Sequence, residues 1–290
     1  MNPKAIIGLV AIPLGVSLLL AAPTAVQAQF EYTTNADNTL TITNYTGSGG
    51  DVIIPTNING LPVTDIGNET FFGDSGLTSV TIPDSVTNIG AGAFQGCTRL
   101  TSVAIPASVL NIDVSAFMLC ASLTNVAIPN SITFIEGGTF YGCASLTNII
   151  IPASVRNIGE DAFFGCTSLI GVFFQGNVPD YDSPIFQGNG HLVSYYLPNA
   201  TGWGSGFAGL SAVLWNPLIQ ASGSSFGVND NQFGFNITGT ANIPIVVEAC
   251  TNLANPVWTP LQTLNLTSGS FFTEPFQANS SGRFYRISSP

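Results

Sequence analysis

Few residues of the chain could carry out catalysis, and their positions do not favour it. The one histidine, His191, falls in a loop column whose other members are arginine and serine. A serine–histidine–acid triad would have to use this histidine, yet no G-x-S-x-G nucleophile elbow lies near it. The acid pairs Glu160–Asp161 and Asp180/Asp182 fall in predicted loops, whereas the two carboxylates of a glycosidase flank a sugar cleft. We therefore predict no catalytic residue, no cofactor and no enzymatic activity, and leave open a calcium site at Asp180 and Asp182.

Four cysteines recur at a constant spacing, at Cys97, Cys120, Cys143 and Cys166. Four thiols could in principle bind zinc, but a stacked repeat sets them in a row about 5 Å apart. Because a row cannot converge tetrahedrally on one ion, we predict no metal site. Neighbouring cysteines lie within disulfide range and export would permit oxidation. Cysteine is also a small buried apolar side chain, so we expect free thiols, with disulfides as the alternative.

The cysteines belong to a 23-residue repeat that fills the chain from Leu77 to Leu169. The four copies begin Leu77-Thr-Ser-Val-Thr-Ile-Pro83, Leu100-Thr-Ser-Val-Ala-Ile-Pro106, Leu123-Thr-Asn-Val-Ala-Ile-Pro129 and Leu146-Thr-Asn-Ile-Ile-Ile-Pro152. An unbroken short period indicates stacked coils that touch only their neighbours. Ordering one unit costs roughly 35 kcal/mol, more than the burial of about six apolar side chains can offset. A single coil therefore cannot fold alone.

Each unit contains signals for two strands and one tight turn. Val80 and Ile82 alternate with polar residues, which is typical of a strand with one buried face. Pro83 lacks an amide donor and should end that strand. The apolar pair Val86 and Ile89 indicates a return segment, and Ala93–Cys97 has room for one helical turn at most.

The pattern L-x-x-V-x-I-P…V-x-x-I…A-F-x-G-C-x-x-L resembles the BspA-like family of leucine-rich repeats. This resemblance implies a curved leucine-rich solenoid in a secreted or cell-surface protein, and it implies no catalytic residues. We predict a β-rich solenoid of about six 23-residue coils, with parallel strands and short helical turns.

The repeat continues less regularly at both ends. Residues 29–51 read as a β-hairpin cap, and the solenoid with its C-terminal cap is assigned to residues 52–215. Trp203, in a glycine-rich stretch, is expected to cover the last layer of the core.

Beyond the solenoid the repeat disappears. Residues 216–225 are predicted to be a linker, and residues 226–290 a small antiparallel β-sandwich of five short strands. The run Val247-Glu-Ala-Cys-Thr-Asn-Leu253 with Arg283-Phe-Tyr-Arg286 resembles a C-terminal β-module of secreted proteins from Verrucomicrobia-type bacteria. Cys250 departs from that pattern, which has serine there.

The N-terminus indicates export. Residues 1–28 combine a basic start, an apolar run and the small-residue site Val26-Gln27-Ala28, as in a cleaved signal peptide; an uncleaved anchor is the alternative. Cleavage removes Lys4 and leaves four arginines against sixteen acidic residues. Nucleic-acid binding needs a clustered positive surface, so it is disfavoured, as is anionic lipid. No later stretch has the roughly 20 apolar residues of a membrane span.

The exposed position of the first strand offers a candidate binding surface. In successive coils it is occupied by Thr81, Ala104, Ala127, Ile150, Phe173 and Tyr196, and so becomes apolar and aromatic toward the C-terminal end. An exposed apolar patch usually marks a contact. Either the C-terminal module or the 177–183 excursion covers it, or Ile150, Phe173 and Tyr196 bind a partner.

We therefore predict a non-catalytic recognition or adhesion protein that binds an extracellular protein or glycan through this face. The alternatives are a structural surface component and an accessory module of a glycan-processing system.

Overall fold

The computed structural model describes residues 29–223, 226–267, 270–275 and 282–288. The predicted signal peptide, residues 1–28, lies outside the described residues. Within the described ranges the chain forms strands and turns but no helix, and therefore none that could cross a membrane.

The strands are numbered in chain order. They are β1 (Phe30–Thr34), β2 (Leu40–Tyr45), β3 (Gly50–Ile53), β4 (Asn57–Ile58), β5 (Leu61–Ile66), β6 (Leu77–Thr81), β7 (Asn88–Ile89), β8 (Ser102–Ala104), β9 (Asn111–Ile112), β10 (Asn125–Ala127), β11 (Phe134–Ile135), β12 (Asn148–Ile151), β13 (Asn157–Ile158), β14 (Gly171–Phe174), β15 (Asp180–Tyr181), β16 (Val193–Tyr196), β17 (Gly206–Phe207), β18 (Leu210–Leu214), β19 (Leu218–Gln220), β20 (Gly227–Asn229), β21 (Gln232–Thr238), β22 (Pro244–Cys250), β23 (Thr259–Asn265), β24 (Ser270–Pro275) and β25 (Phe284–Ser288).

The predicted stack of coils is confirmed, with about seven turns rather than six. We number the four regular coils 1 (77–99), 2 (100–122), 3 (123–145) and 4 (146–168). One side, the strand face, carries β3, β6, β8 and β10, followed by β12, β14, β16 and β18, all parallel. The opposite side, the back sheet, carries β2, β5, β7 and β9, followed by β11, β13 and β15.

Each of these two sheets is interrupted once. Within the described residues no ladder joins β10 to β12 on the strand face, and none joins β9 to β11 in the back sheet. The two interruptions lie at different boundaries, between coils 3 and 4 and between coils 2 and 3.

The third side, which we call the turn face, has an uninterrupted series of bonds between coils. Five phenylalanine amides donate to a carbonyl of the next coil, as from Phe94 to Ala116 at 2.8 Å and from Phe117 to Thr139 at 2.9 Å. The five residues are Phe71, Phe94, Phe117, Phe140 and Phe163. The predicted helical turns are absent here, and the segments are successive tight turns. Each regular coil has two residues with positive φ four positions apart here, such as Gly92 at 60° and Gly96 at 75°. This backbone conformation cannot continue a right-handed helix.

The core is built from like residues stacked on like. The column phenylalanines lie parallel, with ring centroids 5.0–5.7 Å apart from Phe71 to Phe186. These contacts run through every coil, so the phenylalanines form one continuous column along the solenoid. Trp203 closes the C-terminal end, as predicted, with its ring 4.8 Å from Phe174 and its Nε1 donating to the carbonyl of Gly176.

The four cysteines of the repeat form a second continuous column and are free thiols. Each thiol donates to the carbonyl of a phenylalanine in an earlier coil, as Cys120 does to Phe94 at 3.1 Å. In the coil that follows, Asn189 takes the same place, and its Nδ2 donates to the carbonyl of Phe163 at 3.0 Å.

Both ends of the solenoid are covered by antiparallel structure. At the N-terminus β1 and β2 form the predicted hairpin, and β2 continues into the back sheet beside β5. At the C-terminus two antiparallel sheets form the module, one of β19, β20, β21 and β24 and the other of β22, β23 and β25. The linker prediction for residues 216–225 is wrong in part, because β19 pairs with β21 over Leu218–Gln220.

Candidate functional site

The C-terminal module packs on the apolar end of the strand face. Phe173 and Tyr195 of the solenoid share one buried cluster with Phe235, Ile245 and Val247 of the module. Trp215 joins the two parts, since its ring meets Phe173 edge-on at 6.3 Å and its Nε1 donates to the carbonyl of Pro244 at 2.8 Å. The solenoid thus provides one wall of the module's core.

This packing decides between the two coverings considered from the sequence. The module covers Phe173, which is only 5% exposed. The 177–183 excursion lies elsewhere, because it contains β15, which extends the back sheet beside β13.

The strand register corrects one of the three predicted site residues. Phe173 is paired with Tyr195, and Tyr196 is paired with the inward-facing Phe174. Tyr196 therefore does not belong to the outward column, which runs from Ile150 through Phe173 and Tyr195 to Val213. The strand β16 begins one residue earlier than the 23-residue spacing predicts, which places Ser194 in the core with no hydrogen-bond partner for its Oγ.

A cavity of about 320 Å³ lies where the module meets the strand face, and we call it the junction pocket. Ile150, Phe173 and Tyr196 all line it, together with Tyr195, Trp215, Gln175 and the β25 residues Arg286, Ile287 and Ser288. The three predicted residues are therefore brought together, although Tyr196 reaches the pocket from the inward column. Phe173 and Tyr195 are stacked at 4.8 Å in its wall.

One ion pair and one hydrogen bond hold the strand that forms the module side of the pocket. The Nε of Arg286 lies 2.6 Å from Glu248 Oε2, and its guanidinium lies 4.4 Å from the centre of the Trp258 ring. Next to it, the hydroxyl of Tyr285 donates to Glu274. The pKa of Tyr285 is raised mainly by burial and, to a smaller extent, by the Glu274 carboxylate. These contacts fix β25 and hence the shape of the pocket.

The rest of the strand face stays open. Thr101, Ser102, Thr124 and Asn125 are exposed. The strands β6, β8, β10 and β12 carry no charged residue. The Oγ1 of Thr101 donates to the carbonyl of Thr78 at 3.2 Å, and that of Thr124 to the carbonyl of Thr101 at 3.1 Å. Because their protons are used within the stack, these hydroxyls offer acceptor lone pairs to a ligand.

The remaining candidate groups are the histidine, the acidic residues and the cysteines of the repeat. His191 is exposed, as predicted. Among the described residues, no group of three or more histidine, cysteine, aspartate or glutamate side chains could hold a metal ion. Burial raises the pKa of Cys97 and of Cys166 to about 12, and raises that of Cys120 further, so the thiols stay protonated and unreactive.

Sequence reasoning missed Tyr195 and Trp215. Equal spacing from Phe173 leads to Tyr196, and the one-residue shift puts a serine at a buried position, which no hydrophobic pattern would choose. The alternation of Val193 and Tyr195 is the signal that could have revealed the correct register.

Comparison with known proteins agrees with the fold. Residues 63–200 match the BspA type leucine rich repeat region in six copies. A leucine-rich repeat protein of T. pallidum is 34% identical with a TM-score of 0.52, over 59% of this chain and 85% of that chain. A leucine-rich cell surface protein of Faecalibacterium prausnitzii is 28% identical with a TM-score of 0.44, over 72% of this chain and 57% of that chain. No curated protein matches the chain.

Stacked parallel strands, the phenylalanine column and the hydrogen-bonded cysteines define a leucine-rich repeat solenoid. That class is generally non-enzymatic. The chain belongs to the BspA-type leucine-rich repeat family. The match ends at residue 200, so the resemblance of the C-terminal module to the Verrucomicrobia-type module stays a prediction.

Proposed function

We propose that this is a non-catalytic recognition protein of the cell exterior, which adheres to a glycan through the open strand face and the junction pocket. The observation that carries the proposal is the continuity of these two surfaces. The module covers one end of the strand face only, and Ile150, 37% exposed, belongs both to the open column and to the pocket wall.

The chemistry of the surface favours a glycan over a charged ligand. Rows of threonine, serine and asparagine repeat at the coil spacing of about 4.8 Å, and their free lone pairs suit sugar hydroxyl donors. The aromatic side chains in the pocket can pack against a sugar ring. A repeat stack presents such groups at fixed intervals, which suits a polymer.

Residues 1–28 support export, since their pattern is typical of a signal peptide. A protein partner on this same face is the alternative, and ordered lattices of purified protein would favour a structural role instead.

Ile150→Ser provides the test, with Ile53→Ser as a matched control. Ile53 occupies the same outward column at the other end of the strand face, because it pairs with Thr81, and it is 62% exposed. On an array of polysaccharides, Ile150→Ser should weaken binding at least about tenfold. Ile53→Ser leaves the junction pocket intact, so it should weaken binding less than Ile150→Ser does. If both variants bind every glycan as the unsubstituted protein does, or if no glycan binds, the proposal fails.

A further inference from the structure

The turn face of coil 2 differs from that of the other coils. At four positions coil 2 has Val114, Ser115, Met118 and Leu119, where coil 1 has Ala91, Gly92, Gln95 and Gly96. Val114 and Leu119 are exposed, so these larger side chains project outward from the fold.

Leu119 adopts a backbone conformation that disfavours leucine. Its φ is 60°, whereas the equivalent residues in other coils, such as Gly96 and Gly142, are glycines with φ of 75° and 69°. A residue with a Cβ is sterically disfavoured in this left-handed region. Leu119 is 42% exposed, so core burial does not offset that steric cost, and strain of this kind points to a role at the surface.

Neighbouring coils extend Leu119 into an apolar patch. A Cβ added to Gly142 would lie 2.7 Å from Leu119 Cδ2, so the leucine side chain lies directly over that glycine. Tyr141 and Phe164 follow in coils 3 and 4, and their half-buried rings are stacked at 4.9 Å. We call Val114, Met118, Leu119, Tyr141 and Phe164 the turn-face patch.

Acidic residues border this patch on one side. Asp113, Glu136, Glu160 and Asp161 occupy the corner between the back sheet and the turn face in the same three coils. Within the described residues the salt bridges are confined to the C-terminal module, so none neutralises these four carboxylates. The corner therefore has a negative field beside an apolar surface.

We propose that the turn-face patch binds a basic amphipathic segment of a partner protein. Apolar side chains of that segment would pack on Leu119, Tyr141 and Phe164, and its lysine or arginine side chains would face Glu136 and Glu160. Complementary charge gives such a contact its register, and apolar burial gives it affinity. The patch lies on a different side from the strand face, so this inference is independent of the glycan proposal.

A transplant of coil 1 into coil 2 provides the test. The variant V114A/S115G/M118Q/L119G uses only residues that coil 1 already accommodates at those positions, so it should fold and melt no lower than the unsubstituted protein. The probe is a labelled peptide of lysine and leucine with one apolar face, followed by fluorescence anisotropy. The transplant should weaken its binding at least about tenfold, while Ile150→Ser should leave it unchanged.

A peptide of equal charge, with serine in place of leucine, separates the patch from the general field of an acidic protein. It should bind at least about tenfold more weakly than the lysine–leucine peptide. Glu136→Gln combined with Glu160→Gln should also weaken the lysine–leucine peptide. Equal binding of the two peptides would overturn the proposal, as would unchanged binding by the transplant or a lower melting temperature of the transplant, which would assign Leu119 to packing.

Discussion

The cysteines show why one small side chain recurs in every regular coil. A residue in the cysteine column must be apolar enough to be buried and must also donate a hydrogen bond. The acceptor is the carbonyl of a phenylalanine in an earlier coil, and that carbonyl also accepts an amide from the phenylalanine's own coil. A thiol satisfies both requirements. Where the stack ends and solvent is nearer, Asn189 supplies the donor instead, and at the start Asp74 binds the amides of Gly76 and Leu77.

Because the thiols are buried, stability should depend on pH on the alkaline side. The pKa of Cys97 and of Cys166 is raised to about 12, against 9.0 for an ordinary thiol. Below pH 9 neither state loses the proton and the full stability is present. As the pH rises from about 9 toward about 12, only the unfolded chain loses the thiol proton. Each thiol therefore lowers the free energy of unfolding by about 1.4 kcal/mol per pH unit.

Urea unfolding at pH 8 and pH 10 measures this loss. Cys143→Ala removes one such group, because burial raises the pKa of Cys143 well above the ordinary value. The variant should therefore lose about 1.4 kcal/mol less than the unsubstituted protein between these two pH values. Equal losses in the two proteins would contradict the assignment of alkaline sensitivity to the thiols.

Among the larger elements, the C-terminal module depends on the solenoid. Its two sheets enclose Phe235, Ile245 and Phe272, but the third wall of that cluster is Phe173 and Tyr195 of the strand face. The module is therefore an extension of the solenoid core more than a separately folded unit.

Fragments that divide the chain after residue 215 should each be impaired. Residues 29–215 should bind a hydrophobic dye more strongly than the chain of residues 29–290, because Phe173 and Tyr195 become exposed. Residues 216–290 should show no cooperative melting transition by circular dichroism, since too little core remains. A sharp transition in that fragment, at a temperature similar to that of the longer chain, would show that the module folds without the solenoid.

Much of the fold could be predicted because the same residue types recur at the same positions in several units. Phe94, Phe117 and Phe140 occupy identical positions in successive units, and only an in-register stack buries all of them. Irregular coils lack that redundancy. The register of Tyr195 depends on the aromatic contact with Phe173 and on cover from the module, which are tertiary effects that local spacing does not encode.

The same reasoning explains the other errors. Ser222 and its neighbours are typical of a linker, yet Leu218–Gln220 joins a sheet because β21 offers an open edge. The segment Ala93–Cys97 has the spacing of a helical turn, but positive φ at Gly92 and Gly96 prevents one. The junction pocket is formed by residues more than 100 positions apart, and no local pattern relates them.

The molecule as a whole should tolerate loss of an entire unit. In a stack, stability is close to a sum of coil and interface terms. Deleting residues 77–99 joins Gly76 to Leu100 and leaves every column in phase, so the shortened protein should fold with reduced stability and a smaller urea m value. Deleting only residues 77–87 should abolish the cooperative transition, because it shifts all later columns out of register. Similar unfolding curves for the two deletions would refute the additive stack.

The staggered interruptions of the two sheets have a mechanical consequence. Hydrogen bonds run without a break along the turn face, while the strand face and the back sheet each lack a ladder at one boundary near the middle. When force is applied to both ends, coils 2, 3 and 4 should separate first at the strand face and the back sheet. The turn face would act as the hinge, because its hydrogen bonds between coils stay intact. The solenoid would therefore bend at its centre before any terminal coil came apart.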